Sequence, residues 1–195
     1  MDQDTRAVIE RLNDALAMSG LSLRRFAQAL GTSPSRFSTY RTGQTAPSAA
    51  FLLRAERIAS ALAQARQDKI PSSIDAIDAL RRAAKRGDED WTYALALELR
   101  DRLHDILARH RELAAAWEAQ PSAVEPRWQA LAAAFVGHEF NRAGLRAPAW
   151  TDAGRLDQEW VLDTPRLTEA EIRQQTPDWL SERNIFIAAK DLATA

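Results

Sequence analysis

The chain has 195 residues, of which 46% are hydrophobic and 27% charged, with a formal net charge of −1 and no cysteine. This balance is typical of a globular protein with one large or two small domains, not of a disordered chain. The missing cysteines exclude disulfides, thiol nucleophiles and cysteine-bound metals. No apolar run approaches the ~20 residues that span a bilayer, and residues 1–10 lack a signal-peptide pattern, so we expect a cytoplasmic protein without a membrane segment.

Positive charge is concentrated near the start of the chain. Residues 1–70 carry a net charge of +4 (10 Lys/Arg against 6 Asp/Glu), whereas residues 151–195 carry −4 (5 against 9). Between Arg24 and Arg57 there are six arginines and only one acidic residue, Glu56. Because phosphate neutralisation depends on local charge, this distribution is compatible with nucleic acid at one end and a protein partner at the other.

Apolar residues at helical spacing, N-capping serines and glycines predict four helices at the start of the chain. Pro34 is favourable at the first position of the third helix, where its missing N–H costs nothing. The predicted helices run over residues 5–18, from the N-cap Ser22 to Gly31, from the N-cap Ser33 to about Thr42, and onward from Pro47-Ser48.

The second and third helices are the part of the sequence that indicates a function. A tight turn at Leu30-Gly31-Thr32 joins them. The third helix is predicted to bury Phe37 and to leave Ser35, Arg36, Ser38 and Thr39 outside. An exposed helix of this size and polarity can enter the major groove of DNA.

Residues Ser22 to Pro47 resemble the Cro/repressor-like (Xre-type) helix-turn-helix family, and the resemblance extends over residues 5–67. Two positions depart from the family pattern: Leu23 stands where the family often has glutamine, and Arg41 where it often has an acidic residue. The resemblance implies a lambda-repressor-like domain that binds DNA with its third helix in the major groove. The residues that carry it are Ser22, Phe26-Ala27, Leu30-Gly31, Ser33, Phe37-Ser38, Gly43 and Pro47.

The resemblance and the side-chain chemistry together predict the DNA contacts. Arg36 is the candidate for a bidentate contact to guanine, a type worth ~1–3 kcal/mol of discrimination. The hydroxyls of Ser33, Ser35 and Thr39 are candidates for base or phosphate contacts. The backbone contacts, which position a protein without specifying sequence, are assigned to Arg24, Arg25, Tyr40, Arg41, Thr42 and Gln44.

The middle of the chain is predicted to be a helical bundle. It follows Lys69–Ser73, which is either a hinge between modules or only a turn between two helices. A short helix ends near Gly87, a long helix runs from Asp88 to about Ala119, and another begins at Pro126. Apolar residues in the long helix alternate in steps of four and three, as they do where two helices pack side by side. The seam consists of Leu99, Leu103, Ile106, His110, Leu113 and Trp117.

From Gly144 the pattern becomes irregular, with prolines and tryptophans at short intervals. Residues 159–162 and 185–187 are predicted to be extended. The sequence Thr168-Glu169-Ala170-Glu171 matches a capping box, which predicts a short helix there, and a further turn of helix follows Pro177. We therefore predict three domains: a DNA-binding domain over residues 1–69, a helical dimerisation or partner domain over 74–145, and an irregular tail over 146–195.

The six tryptophans fall into two groups. Trp91, Trp117 and Trp128 lie on helical stripes and are predicted to be core residues. Trp150, Trp160 and Trp179 lie in the tail, where they either pack onto the bundle or bind another protein, since aromatic anchors dominate interfaces.

The sequence from Thr168 onward is similar to the endings of actinobacterial helix-turn-helix proteins paired with nucleotidyltransferase-like toxins. This similarity implies a toxin partner. The predicted partner-binding residues are Trp160, Trp179 and Phe186.

Other patterns give little support to an enzyme. In His138-Glu139 the second histidine of a zinc-peptidase motif is missing, since Arg142 occupies its place. His104 and His110 are badly spaced for joint metal ligation, and pairs such as Asp101/Asp105 are usually solvated. No phosphate-binding glycine loop or nucleophile elbow is present. We expect no catalytic residues, no metal and no cofactor.

The sequence as a whole predicts an all-α transcriptional repressor that binds a palindromic operator in double-stranded DNA as a homodimer. We expect it in the cytoplasm, and on the nucleoid when bound to its operator. The preferred version is an autoregulatory, antitoxin-like protein whose acidic tail neutralises a toxin. The alternatives are a stand-alone phage, plasmid or host regulator, and a protein-interaction module that does not bind DNA.

Overall fold

The computed structural model describes residues 2–152, 154–164 and 166–192. These residues are mostly helical, with ten α-helices and one two-stranded sheet, so the predicted all-α class is confirmed at the level of helical content. The helices are α1 (Gln3–Ser19), α2 (Leu23–Ala29), α3 (Pro34–Arg41), α4 (Ala49–Gln67), α5 (Ser73–Arg86), α6 (Glu89–Arg109), α7 (Ala114–Glu118), α8 (Pro126–Arg142), α9 (Glu169–Gln175) and α10 (Asp178–Ser181). The strands are β1 (Trp160–Val161) and β2 (Ile185–Phe186).

The chain folds into two compact units, each made of two segments. Unit 1 consists of residues 1–76 and 110–122, and unit 2 of residues 77–109 and 123–195. This division differs from the predicted consecutive domains, because the chain leaves unit 1 within α5, returns to it at residue 110 for α7 and leaves it again after residue 122. Among the described residues, no helix has the length and apolar character needed to cross a bilayer.

The second, third and fourth helices begin where the sequence predicts, each after an N-capping serine. The hydroxyls of Ser22, Ser33 and Ser48 each accept a hydrogen bond from the main-chain N–H three residues on, which satisfies a donor that the helix itself cannot pair. α1 is longer than predicted, because Asp2 acts as an earlier N-cap and accepts from the Thr5 N–H at 2.7 Å. It ends at Gly20, whose φ of +64° lies in the left-handed region.

The predicted long helix from Asp88 to Ala119 is wrong in one respect. It breaks at His110, whose φ of −134° and ψ of 50° are not helical, and a 3-10 turn and α7 follow. Leu113 and Trp117 are buried as predicted, but they are buried in unit 1. His110 is exposed and is not part of a packing seam.

In unit 1 the segment 110–122 packs its apolar residues into the helical core. α7 packs against α4, and Trp117 is 1% exposed. The buried hydroxyl of Ser73, at the start of α5, donates towards the carbonyl oxygens of Ala119 (2.6 Å) and Ala116 (3.2 Å). These contacts tie the first turn of α5 to the end of α7.

Unit 2 is built around α8, most of whose residues are buried, and α6 packs against it. Trp128 is core as predicted, but Trp91 is 49% exposed, so that prediction is wrong. Helical spacing did not show that Trp91 lies at the solvent-facing start of α6. In the tail, β1 and β2 pair in parallel, and the predicted capping box between Thr168 and Glu171 is present.

Candidate nucleic-acid interface

The turn between α2 and α3 is short, and two main-chain hydrogen bonds close it. The Gly31 N–H donates to the Gln28 carbonyl at 2.8 Å, and the Thr32 N–H donates to the Ala27 carbonyl at 3.0 Å. Gly31 has φ +67°, a conformation that a side chain would strain. This turn fixes where α3 starts relative to the end of α2.

Phe37 is the anchor that fixes which face of α3 points inward. Its ring is 0% exposed and meets the Phe26 ring edge to face, with centroids 5.5 Å apart, and the Phe51 ring at 6.5 Å. Phe37 is the one buried residue of α3. Ser35 and Arg36 are exposed as predicted, whereas Ser38 and Thr39 are half-buried.

Cationic side chains lie on the exposed parts of α2 and α3. Arg24, Arg25 and Arg36 are all exposed. Within the described part of the chain, the guanidinium groups of Arg24 and Arg36 make no hydrogen bond or ion pair with another residue, so they are available for an external anion or base. The Ser33 hydroxyl, which caps the Arg36 N–H at 3.1 Å, also lies 3.1 Å from the hydroxyl of Ser35.

The threonine hydroxyls of this region already donate to main-chain carbonyls. The Thr39 hydroxyl donates to the Arg36 carbonyl at 2.8 Å, and that of Thr42 donates to the Ser38 carbonyl at 3.1 Å. In these rotamers the oxygens remain free only as acceptors. They match the amino groups of adenine and cytosine better than phosphate oxygens, which require a donor.

Two of the predicted backbone contacts also serve the fold. The Arg41 Nε donates to Asn13 Oδ1 on α1 at 2.6 Å, and the Tyr40 ring lies 5.1 Å from that of Phe51 on α4. Both side chains are partly buried, whereas Gln44 is exposed in the loop that follows α3. Arg41 and Tyr40 therefore fix α3 to its neighbours as well as being candidate DNA contacts.

The predicted partner-binding aromatics pack within unit 2. The Trp160 ring meets Trp128 edge to face at 5.0 Å, and the Trp179 ring stacks on His138 at 4.2 Å. Phe186 lies 5.3 Å beneath the Arg173 guanidinium. All three rings are half-buried, which fits the alternative in which the tail completes the fold.

His138-Glu139 has a structural explanation. Glu139 is 2% exposed, and its carboxylate binds His104 Nδ1 at 2.9 Å and Arg142 at 3.1 Å. Burial lowers the pKa of His138, which stacks on Trp179. In the part of the chain that the structure describes, no group of three or more His, Asp or Glu side chains is placed to hold a metal ion.

Sequence reasoning missed the contacts that hold the α2–α3 turn from outside. The side-chain amide of Gln28 donates to the Pro121 carbonyl at 3.0 Å, and the Gln120 N–H donates to the Ala29 carbonyl at 2.9 Å. A contact between residues about 90 positions apart leaves no local pattern, so it could not be predicted from the sequence.

Comparisons of this chain with protein-family models, with curated proteins and with solved structures found no match. Inferences about function therefore depend on the residues and their geometry.

Proposed function

We propose that this protein is a sequence-specific DNA-binding transcriptional regulator that acts as a repressor. The observation that supports the proposal most is the exposed face of α3. One inward aromatic, Phe37, anchors the helix, while Arg36 and Ser35 are exposed together with Arg24 and Arg25 of α2. An anchored helix with an outward cationic and hydroxyl face has the properties that groove recognition requires.

The proposed roles follow from where the exposed arginines lie on α2 and α3. Arg36 lies in the first turn of α3 and can donate two parallel hydrogen bonds to O6 and N7 of a guanine. Arg24 and Arg25, at the start of α2, are proposed to bind phosphates, where a guanidinium adds affinity but no sequence preference. A short helix offers few base contacts, so we propose that two copies bind a palindromic operator in double-stranded DNA, as a cytoplasmic homodimer associated with the nucleoid.

The experiment is selection of binding sites from a random DNA library, followed by titration of the enriched site at several salt concentrations. We expect Arg36→Ala to weaken specific binding by about 5- to 150-fold, which corresponds to ~1–3 kcal/mol. The matched control is Arg82→Ala, an exposed arginine of α5 in unit 2, which should leave binding unchanged. Enrichment of no sequence, or an unchanged affinity in Arg36→Ala, would contradict the proposal.

A toxin-neutralising role is a second candidate, supported by the acidic character of the tail. Asp157 and Asp163 are exposed on either side of β1, where their carboxylates are accessible to a basic partner. The test is co-purification with the product of a neighbouring toxin-like gene, and its loss in the double variant Asp157→Lys/Asp163→Lys. Because the tail aromatics contribute to the packing of unit 2, charge reversal is a cleaner test than deletion of residues 151–195. A stable unit 2 that captures no such protein would favour a stand-alone regulator.

A further inference from the structure

The contact between the α2–α3 turn and a distant segment has two parts, one from a side chain and one from the main chain. Gln28 Nε2 donates to the Pro121 carbonyl, and the Gln120 N–H donates to the Ala29 carbonyl. The last four carbonyls of a helix have no partner within the helix, and Ala29 is the last residue of α2. The Gln120 N–H therefore pairs a carbonyl that α2 cannot pair itself, and the Pro121 carbonyl accepts from a side chain of α2.

The Gln120 side chain also lies against the turn. A Cβ atom built on Gly31 would lie 3.2 Å from Gln120 Oε1, closer than ordinary van der Waals contact. Gly31 is the residue at which the chain reverses between α2 and α3. The Gln120 side chain therefore occupies the space next to Gly31, and a larger residue at position 31 would displace it.

The segment that makes these contacts is itself firmly held. Trp117 is 1% exposed, Ala119 is fully buried, and the Ser73 hydroxyl donates to the Ala119 carbonyl at 2.6 Å. The buried anchors lie immediately before residues 120–121 in the chain. The packing of α7 therefore fixes where the Gln120 N–H and the Pro121 carbonyl lie against α2.

We propose that Gln28, Gln120 and Pro121 are positioning residues for DNA recognition, which set the angle at which α3 leaves the α2–α3 turn. This inference rests on the proposed function, since it assigns a role in reading DNA to residues that do not touch it. Direct contacts should come from α2 and α3. The segment 110–122 should hold α2 and α3 in the orientation that these contacts need.

The test uses the full chain and two variants. Gln28→Ala removes the side-chain donor, and Gln120→Pro removes the main-chain donor; the preceding Ala119 is already extended, with φ −61° and ψ 124°, as a residue before proline must be. The matched control is Gln67→Ala, an exposed glutamine at the end of α4. Specific binding to the selected operator, binding to unrelated DNA, and amide hydrogen exchange at Gly31 and Thr32 are measured on each protein.

Loss of one hydrogen bond corresponds to roughly a 5-fold effect. We expect exchange at Gly31 and Thr32 to accelerate ~5-fold in each variant, and operator affinity to fall ~5-fold, with affinity for unrelated DNA and the salt slope unchanged. A general loss of folded protein would lower the affinities for operator and for unrelated DNA together. A change in the ratio of these two affinities therefore reports on the placement of α3 and not on folding. The Gln67→Ala control should match the wild type in every measurement.

Three results would overturn the inference. Exchange equal to that of the control in both variants would show that residues 120–121 do not hold the turn. Faster exchange with operator affinity at the wild-type value would show that the contact stabilises the turn without placing α3. Failure of the wild type itself to prefer any DNA sequence would instead refute the proposed function, and the positioning role would fall with it.

Discussion

The anchoring role of Phe37 predicts a large and local loss of stability when the ring is removed. The phenyl group is fully buried and contacts Phe26 and Phe51, so Phe37→Ala deletes both the transfer free energy and the packing around it. Such substitutions cost ~3–5 kcal/mol, of which an edge-to-face aromatic pair accounts for about 0.5–1.5 kcal/mol. Phe37→Leu keeps much of the volume and should cost less than about 1.5 kcal/mol.

The assay must separate unit 1 from unit 2. Trp117 is the one tryptophan in residues 1–76 and 110–122, so its ¹⁹F resonance in 5-fluorotryptophan-labelled protein reports on unit 1 alone. With a urea m-value of about 1–3 kcal/mol/M, Phe37→Ala should lower the midpoint of the Trp117 transition by roughly 2 M, or unfold unit 1 without urea. A shift equivalent to less than ~1 kcal/mol, or equal shifts for Phe37→Ala and Phe37→Leu, would refute the reasoning.

Three further predictions concern single contacts. Ser73→Ala should destabilise unit 1 by ~1–3 kcal/mol, because it removes the donor for buried carbonyls at the end of α7, and the urea midpoint checks this. Since the pKa of His138 is lowered by burial, the unfolded chain binds the proton more readily, and unit 2 should lose stability as the pH falls below about 6.5. His138→Phe, which keeps a ring to stack on Trp179, should reduce that dependence between pH 7.5 and 5.5 in urea titrations. Gly20→Ala should lower the stability of unit 1 by ~1–3 kcal/mol in the same titration, since Gly20 has a φ of +64°, a conformation that strains any residue with a side chain.

Features that depend on three or four neighbouring residues could be predicted from the sequence. The N-caps at Ser22 and Ser33 and the capping box at Thr168 each need only the side chain and the main-chain N–H three residues on. The burial of Phe37 follows from helical periodicity. The exposed arginines of α2 and α3 follow from the same periodicity, but their contact with DNA stays a prediction.

Features that depend on which surfaces meet could not be predicted. Apolar spacing continues through His110, so the sequence shows one long seam where the structure has a break. Trp91 and Trp117 occupy comparable positions on helical stripes, yet one is half exposed and the other buried, since burial depends on a partner that periodicity does not identify. For the same reason the hydrogen bond between Gln28 and Pro121 could not be predicted from the residues around either one.

The division of unit 1 between two stretches of chain has a consequence for its synthesis. A ribosome completes α1 to α4 well before it reaches residues 110–122, which cover part of α4 and hold the α2–α3 turn. At 5–20 residues per second, residues 77–122 take on the order of 2–10 s to make. During that interval the nascent chain exposes the surface that Trp117 and its neighbours later bury.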